Sequence, residues 1–168
     1  MADFRVLEKA DGANLLFVFE GPIDEDVQFP PMDTSKYKVL FVDLKGVTAI
    51  NSVGIREWLN WIKPLAEKVQ VVLMKCPKPL VFQLNMVEGF LPKNAVVKSF
   101  FVPFYCEKCD KEENLLFNIG QEIQLSPGSY KLNYDLNSMK ACKEPACELE
   151  MDATEAKYFQ FLKKMVGG

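Results

Sequence analysis

The chain has 168 residues, of which 49% are hydrophobic and 26% are charged, so it is long enough to bury one core or one domain with a small annex. It contains no histidine, which excludes Ser-His-Asp and Cys-His nucleophiles and every histidine-liganded metal site. Residues 1–103 carry 12 basic and 12 acidic side chains and residues 104–168 carry 8 and 11, so neither part has the dense basic stripe that nucleic-acid binding requires.

Strand-like segments recur through the first 103 residues. Strands are predicted, in chain order, at residues 4–9, 14–20, 39–44, 69–74 and 96–102. The turn pair Asp11-Gly12 separates the first two and indicates an antiparallel hairpin. The last three are almost continuously apolar, which is typical of strands covered on both faces.

Two helices are predicted between these strands. Over residues 54–63 the apolar positions 55, 58, 59 and 62 follow the i, i+3, i+4, i+7 pattern of an amphipathic helix. A second helix begins after Pro77 and ends at Gly89. Its inward positions are Leu80, Val81, Leu84 and Val87. Strands alternating with helices predict an α/β fold, with a mixed β-sheet and helices packed against it.

The composition changes after about Pro103, and we call residues 104–168 the annex. It has a candidate strand at residues 114–119, a turn-rich segment at 126–129 and a terminal helix opened by the capping box Asp152-x-x-Glu155. The apolar stripe of that helix comprises Tyr158, Phe161, Leu162 and Met165. Residues 105–138 have too few apolar residues to form their own core, so this stripe is expected to dock on the rest of the annex. We therefore predict a small α+β annex that ends in a helix and needs further stabilisation.

Neither export nor membrane insertion is predicted. The N-terminal segment lacks a basic stretch followed by an apolar one, and no segment approaches the roughly 18 uninterrupted apolar residues that span a bilayer. We expect a cytoplasmic protein with no membrane partner.

Four of the five cysteines form two pairs within the annex, Cys106-x-x-Cys109 and Cys142-x4-Cys147. In a reducing cytosol such pairs more often bind zinc than form disulfides, and four thiolates match tetrahedral Zn²⁺. The sequence therefore predicts one structural zinc site with four cysteine ligands. A redox centre at the first pair would require a helix there, and residues 107–112 show no apolar stripe. Cys76, at the end of a predicted buried strand, is interpreted as a small core residue.

The segment Val39-Leu-Phe-Val-Asp-Leu-Lys-Gly-Val-Thr-Ala-Ile-Asn-Ser-Val-Gly-Ile-Arg-Glu-Trp-Leu resembles the signature of the STAS domain, the fold of bacterial anti-sigma factor antagonists. In that family a buried strand ends in an acidic residue, here Asp43, and a turn leads to Asp-Ser/Thr-x-Gly at a helix start, here Asn51-Ser52-Val53-Gly54. The family's Gly-x-Leu/Ile-Asp is matched by Gly21-Pro22-Ile23-Asp24. The resemblance covers residues 1 to about 103, and the annex resembles a four-cysteine zinc ribbon with a wider second knuckle.

The resemblance implies a non-enzymatic protein-protein interaction module in bacterial signalling. Its partner would be an anti-sigma factor or a serine kinase-like protein, and Ser52 takes the place of the family's phosphoacceptor. The expected partner surface comprises Asp24, Asn51, Ser52, Val53, Gly54, Glu57 and Trp61. The chain departs from the family where Asn51 replaces the motif acid. It also departs at residues 24–38, where prolines and acids indicate a loop in place of a helix.

Other interpretations stay open at this point. Ser52 is also a good helix N-cap, and Trp61, which falls off the apolar stripe and is expected near solvent, could instead pack against Pro64 or the annex. The chain could be a zinc-ribbon protein acting on nucleic acid or in a transcription complex, although its charge argues against this. It could also be a small-ligand-sensing STAS module, but it has no glycine-rich phosphate loop.

Overall fold

The chain is mixed α/β in a computed structural model that describes residues 3–165, and it divides between Lys98 and Ser99 into two units. The elements of the first unit are β1 (Arg5–Asp11), β2 (Asn14–Ile23), β3 (Val39–Ile50), α1 (Ser52–Lys68), β4 (Gln70–Met74), α2 (Lys78–Met86) and β5 (Ala95–Val97). The predicted α/β class with a mixed sheet is confirmed. No helix within residues 3–165 is long and apolar enough to cross a membrane.

The strands of the first unit form one sheet in the order β1-β2-β3-β4-β5. β1 and β2 form the predicted antiparallel hairpin, and β2 to β5 run parallel. The β3-α1-β4 and β4-α2-β5 crossovers advance in the same direction, so right-handed connections place both helices on one face. Residues on that face, such as Phe17 and Val42, are fully buried, whereas Phe41 and Val72 on the other face are half-buried. The second face of these strands is therefore only partly covered, which is less than the predicted burial on both faces.

Helix α1 extends beyond its predicted limits at both ends. It begins at Ser52 and continues through Pro64 to Lys68. Pro64 removes one helical hydrogen bond on the exposed side, where water can replace it. On the inner side Trp58 is fully buried, its Nε1 donates to the carbonyl of Phe90 at 3.0 Å, and its ring stacks on Phe90. This packing fixes the face of α1 that lies against the sheet.

The second unit contains two small antiparallel sheets and short helices. Its elements are β6 (Ser99–Cys106), β7 (Lys111–Asn118), β8 (Ile123–Ser126), β9 (Ser129–Leu132), α3 (Leu136–Met139), β10 (Glu150–Met151), α4 (Glu155–Tyr158) and α5 (Phe161–Met165). One sheet has the order β10-β6-β7, and β8 and β9 form a hairpin.

The predicted strand 96–102 is two strands. β5 pairs with β4, whereas β6 pairs with β7 in a different sheet, and the break falls at Lys98. The predicted boundary after residue 103 therefore lies inside β6. Residues 105–138 share a core with β6 and with the terminal helix, which docks on this unit as predicted, and aromatic rings fill that interior. The fully buried ones include Phe100, Phe104, Phe117, Phe159 and Phe161.

The terminal helix is also divided, into α4 and α5. Thr154 is its N-cap residue and makes no side-chain capping bond, so the predicted capping box is absent. Tyr158 and Phe161 are buried as predicted, but Phe159 is fully buried as well. Adjacent residues on one continuous helix point in directions about 100° apart and do not share a single apolar stripe. The break near Phe159 allows Tyr158 and Phe159 to face the same core.

Candidate functional site

The segment Asn51-Ser52-Val53-Gly54 joins β3 to α1. Asn51 is the N-cap residue, and its Oδ1 accepts a hydrogen bond from the Gly54 N–H at 2.9 Å. The helix is therefore capped by Asn51 rather than by Ser52. Ser52 is the first residue of α1 and is exposed. Its hydroxyl is not needed to satisfy the helix start.

Gly54 is required by the close approach of α1 to the end of β2. A Cβ at this position would lie 2.6 Å from the carbonyl carbon of Ile23 and closer still to the carbonyl oxygen. The Asn51 N–H donates to the same oxygen at 3.2 Å. Because these neighbours are backbone atoms, they cannot move aside as a side chain could. The glycine thus holds the start of α1 against the residues that precede Asp24.

An acidic loop lies beside this helix start. Asn51 Nδ2 donates to Glu25 Oε2 at 2.8 Å, and Asp24 Oδ1 accepts from the Asp26 N–H at 3.0 Å. A backbone hydrogen bond, together with the bond from the Asn51 amide, lowers the pKa of Glu25. Residues 24–38 contain no helix, as predicted. The sequence did not indicate Glu25 as a site residue, since its contact with Asn51 depends on the path of this loop.

Trp61 is not the solvent-exposed anchor that its position off the apolar stripe predicted. It is half-buried, its Nε1 donates to the Pro30 carbonyl at 2.8 Å, and its ring stacks on Phe29 with centroids 5.0 Å apart. Its stacking partner is Phe29, which the sequence did not indicate. Trp61 holds the proline-containing loop onto α1, a role that removes the reason for assigning it to a partner surface.

The other residues predicted for this site differ in burial and in the groups that they contact. Val53 is half-buried, and Glu57 is half-buried beside Arg56, with Oε1 3.5 Å from the Arg56 Nε. Asp43 lies within β3 and not at its end, with Oδ2 3.6 Å from Lys75 Nζ. The structure therefore brings Asp24, Glu25, Asn51 and Ser52 to one edge, while Asp43 pairs elsewhere.

The two predicted cysteine pairs meet in the second unit. The Sγ atoms of Cys106, Cys109 and Cys147 all lie within 4.8 Å of one another, and Cys142 Sγ lies 3.9 Å from Cys109 Sγ. Thiolates bound to one tetrahedral zinc at the usual Zn–S distance would be about 3.8 Å apart. The cluster is therefore compatible with a bound metal. Cys76 is not part of it, since it is fully buried in the first unit as predicted.

Backbone donors and one carboxylate hold the two cysteine pairs. Cys106 ends β6, and its Sγ accepts hydrogen bonds from the N–H groups of Cys109 at 3.4 Å and Glu148 at 3.3 Å. The second pair lies in the loop between α3 and β10. There Glu113, from β7, accepts from the N–H groups of Ala141 at 2.6 Å and Cys142 at 3.1 Å. Glu113 is a site residue that spacing along the sequence could not reveal.

The four thiols differ in acidity in the absence of a cation. Burial opposes ionisation of Cys106, but the two N–H donors outweigh it and lower its pKa to about 7. A backbone hydrogen bond from Glu144 lowers the pKa of Cys142. Burial raises the pKa of Cys147 to about 12 and also raises that of Cys109. Binding of a divalent metal by all four sulfurs would therefore release protons.

Comparisons of the chain with protein-family models, with curated proteins and with solved structures found no match. The molecule therefore has two candidate sites, the edge that carries Ser52 and the cluster of four cysteines.

Proposed function

We propose that the first unit is a STAS-type protein interaction module, similar to an anti-sigma factor antagonist, and that the second unit is stabilised by one structural zinc ion. The observation that carries the first part is that Ser52, the first residue of α1, is exposed one residue beyond the N-cap Asn51 that follows β3. Neither role involves catalysis. The partner would be a protein such as an anti-sigma factor or a serine kinase-like protein.

The geometry around Ser52 suits reversible phosphorylation. A phosphate would add about −1.5 to −2 charges at the N-terminus of a 17-residue helix, where unpaired N–H groups favour anions. Asn51 leaves Ser52 available because it provides the cap itself. The Glu25 carboxylate, bonded to Asn51, supplies negative charge beside the position where the family carries its motif acid. A phosphate would repel that carboxylate and alter the surface presented to a partner.

The zinc proposal is supported by the donor set and by the surrounding charge. Four thiolates around Zn²⁺ carry −2 overall, and three lysines lie near the cluster. Lys140 Nζ donates to the Cys147 carbonyl at 3.2 Å, Lys111 lies close enough to Cys142 to lower its pKa, and Lys108 is ion-paired with Glu148. A closed shell of four cysteine ligands has no open position for a substrate, which favours a structural role.

The interaction proposal is tested by affinity capture from native extract with wild-type, Ser52→Ala and Ser52→Asp baits. We expect Ser52→Ala to retain the partner and Ser52→Asp to lose at least about 90% of it, because a closed interface cannot easily accommodate the added charge. Ser126→Asp is the matched control, since Ser126 is also exposed but lies in the second unit. Equal capture by all four baits would exclude Ser52 from the interface.

The zinc proposal predicts a role for Glu113. Glu113→Gln should lower zinc affinity by about tenfold, because the neutral amide accepts more weakly from the two N–H groups that position the second cysteine pair. Competition with a chelating indicator measures the change. Glu112→Gln removes the same charge from the exposed neighbour on β7 and should leave the affinity within about twofold. Equal losses in both variants would indicate a general charge effect instead.

A further inference from the structure

The four clustered cysteines differ in exposure. Cys106, Cys142 and Cys147 have relative exposures of 0%, 8% and 6%, whereas Cys109 lies on the turn after β6 and is half-buried. A small oxidant in solution would therefore meet the Cys109 sulfur first. Two properties make a cysteine prone to oxidation, namely solvent exposure and ionisation of its sulfur. Coordination to a metal would keep the sulfur ionised.

Cys142 presents a second sulfur beside Cys109, on a loop that Glu113 holds through the N–H groups of Ala141 and Cys142. Cys142 Sγ lies 3.9 Å from Cys109 Sγ and belongs to the loop between α3 and β10, so a small loop movement brings the sulfurs to disulfide distance. Cys106 is a poorer second partner. It ends a paired strand, it is fully buried, and its sulfur accepts two backbone hydrogen bonds that hold it in place.

We propose that this cluster is a peroxide-sensitive site in which Cys109 is the reacting sulfur and Cys142 the resolving one. The proposal assumes the zinc site above, which keeps both sulfurs as thiolates. The Cys109 thiolate attacks a hydroperoxide, the O–O bond breaks, and a sulfenic acid forms with release of hydroxide or alkoxide. The Cys142 thiolate then attacks that sulfur, forms the disulfide and expels hydroxide. The two sulfurs together lose two electrons and the peroxide gains them, leaving two hydroxide ions, or one alkoxide and one hydroxide, which the buffer then protonates.

Disulfide formation removes two of the four zinc ligands, so oxidation should release the metal. The test treats the zinc-loaded full chain with hydrogen peroxide and follows zinc with a metallochromic indicator while alkylation and mass spectrometry map the disulfides. We expect zinc release in step with a Cys109–Cys142 disulfide, both reversed by a dithiol reductant and added zinc. Retention of zinc, or release with a disulfide between any other two cysteines, would overturn the proposal.

The reacting sulfur can be identified without removing a zinc ligand. Peroxide treatment of the zinc-loaded wild type in the presence of a 1,3-dicarbonyl probe should trap the sulfenic acid at Cys109 several-fold more than at Cys142. Equal labelling of the two cysteines would contradict their assigned roles. Cys76→Ala is the control and should release zinc at the wild-type rate, since this residue is buried in the first unit.

The outcome also distinguishes failure of the redox inference from failure of the zinc proposal. If the purified chain binds no zinc, the reduced chain can still be oxidised and mapped. A Cys109–Cys142 disulfide would then support the assigned pair without the metal, and any other pairing would overturn the inference as well.

Discussion

Removal of zinc by a strong chelator should unfold the second unit while the first stays folded. Structural zinc sites provide roughly 10–16 kcal/mol of apparent binding free energy in small domains, which is comparable to or larger than the about 5–15 kcal/mol by which native proteins are stable. The second unit is small, and its cysteine pairs fix both the β6–β7 hairpin and the loop before β10. Without the metal these segments lose their common anchor.

The distribution of aromatic residues allows each unit to be observed separately. Both tryptophans, Trp58 and Trp61, lie in the first unit, whereas four of the five tyrosines lie in the second. Chelation should therefore abolish the contribution of these four tyrosines to the near-ultraviolet circular dichroism and leave tryptophan emission unchanged. Cys147→Ser should reproduce this state without chelator, and added zinc should restore only the wild type. Persistent protection of β6 and β7 amides from hydrogen exchange after chelation would show that the metal is dispensable.

Periodic patterns predicted most regular elements of the first unit. The hairpin, the strands at β3 and β4 and both helices were expected, because their apolar spacing is dominated by burial against one sheet. The break between β5 and β6 was not predicted. Val96 to Val102 is apolar except at Lys98 and Ser99, and only the choice of partner strand, a tertiary property, divides it. The full extent of the second core was not predicted for the same reason, since it also includes Phe100 and Val102, which precede the predicted boundary.

The parts of the candidate sites that are formed by residues close together in sequence could be predicted. Cysteine spacing alone indicated the metal-compatible cluster, since the two pairs carry their own pattern. Residue type indicated a capped helix at Asn51 and Ser52, but not which of them is the cap. Glu25 and Glu113 could not be predicted, because each acts on residues far away in sequence through the path of a loop. Their roles emerge only from folding.

Replacing Gly54 by alanine should destabilise the first unit by about 3 kcal/mol or more, because the added Cβ overlaps the carbonyl group of Ile23. Relief requires α1 to move away from the end of β2 and so disturbs the packing of Trp58. Urea unfolding followed by tryptophan fluorescence measures the loss.

Gly12→Ala separates the effect of space from that of backbone conformation. Gly12 has a φ of +60°, but a methyl group added to its Cα would meet no atom within 4 Å, so its substitution should cost only about 1–2 kcal/mol. If Gly54→Ala lowers the free energy of unfolding by no more than Gly12→Ala does, α1 tolerates displacement.

The contact between Gly54 and the carbonyl group of Ile23 also has a functional meaning, since it holds Asp24 and Glu25 beside Ser52. Gly54, which has no functional side chain, would then be the residue that brings Asp24, Glu25 and Ser52 together at the proposed recognition edge.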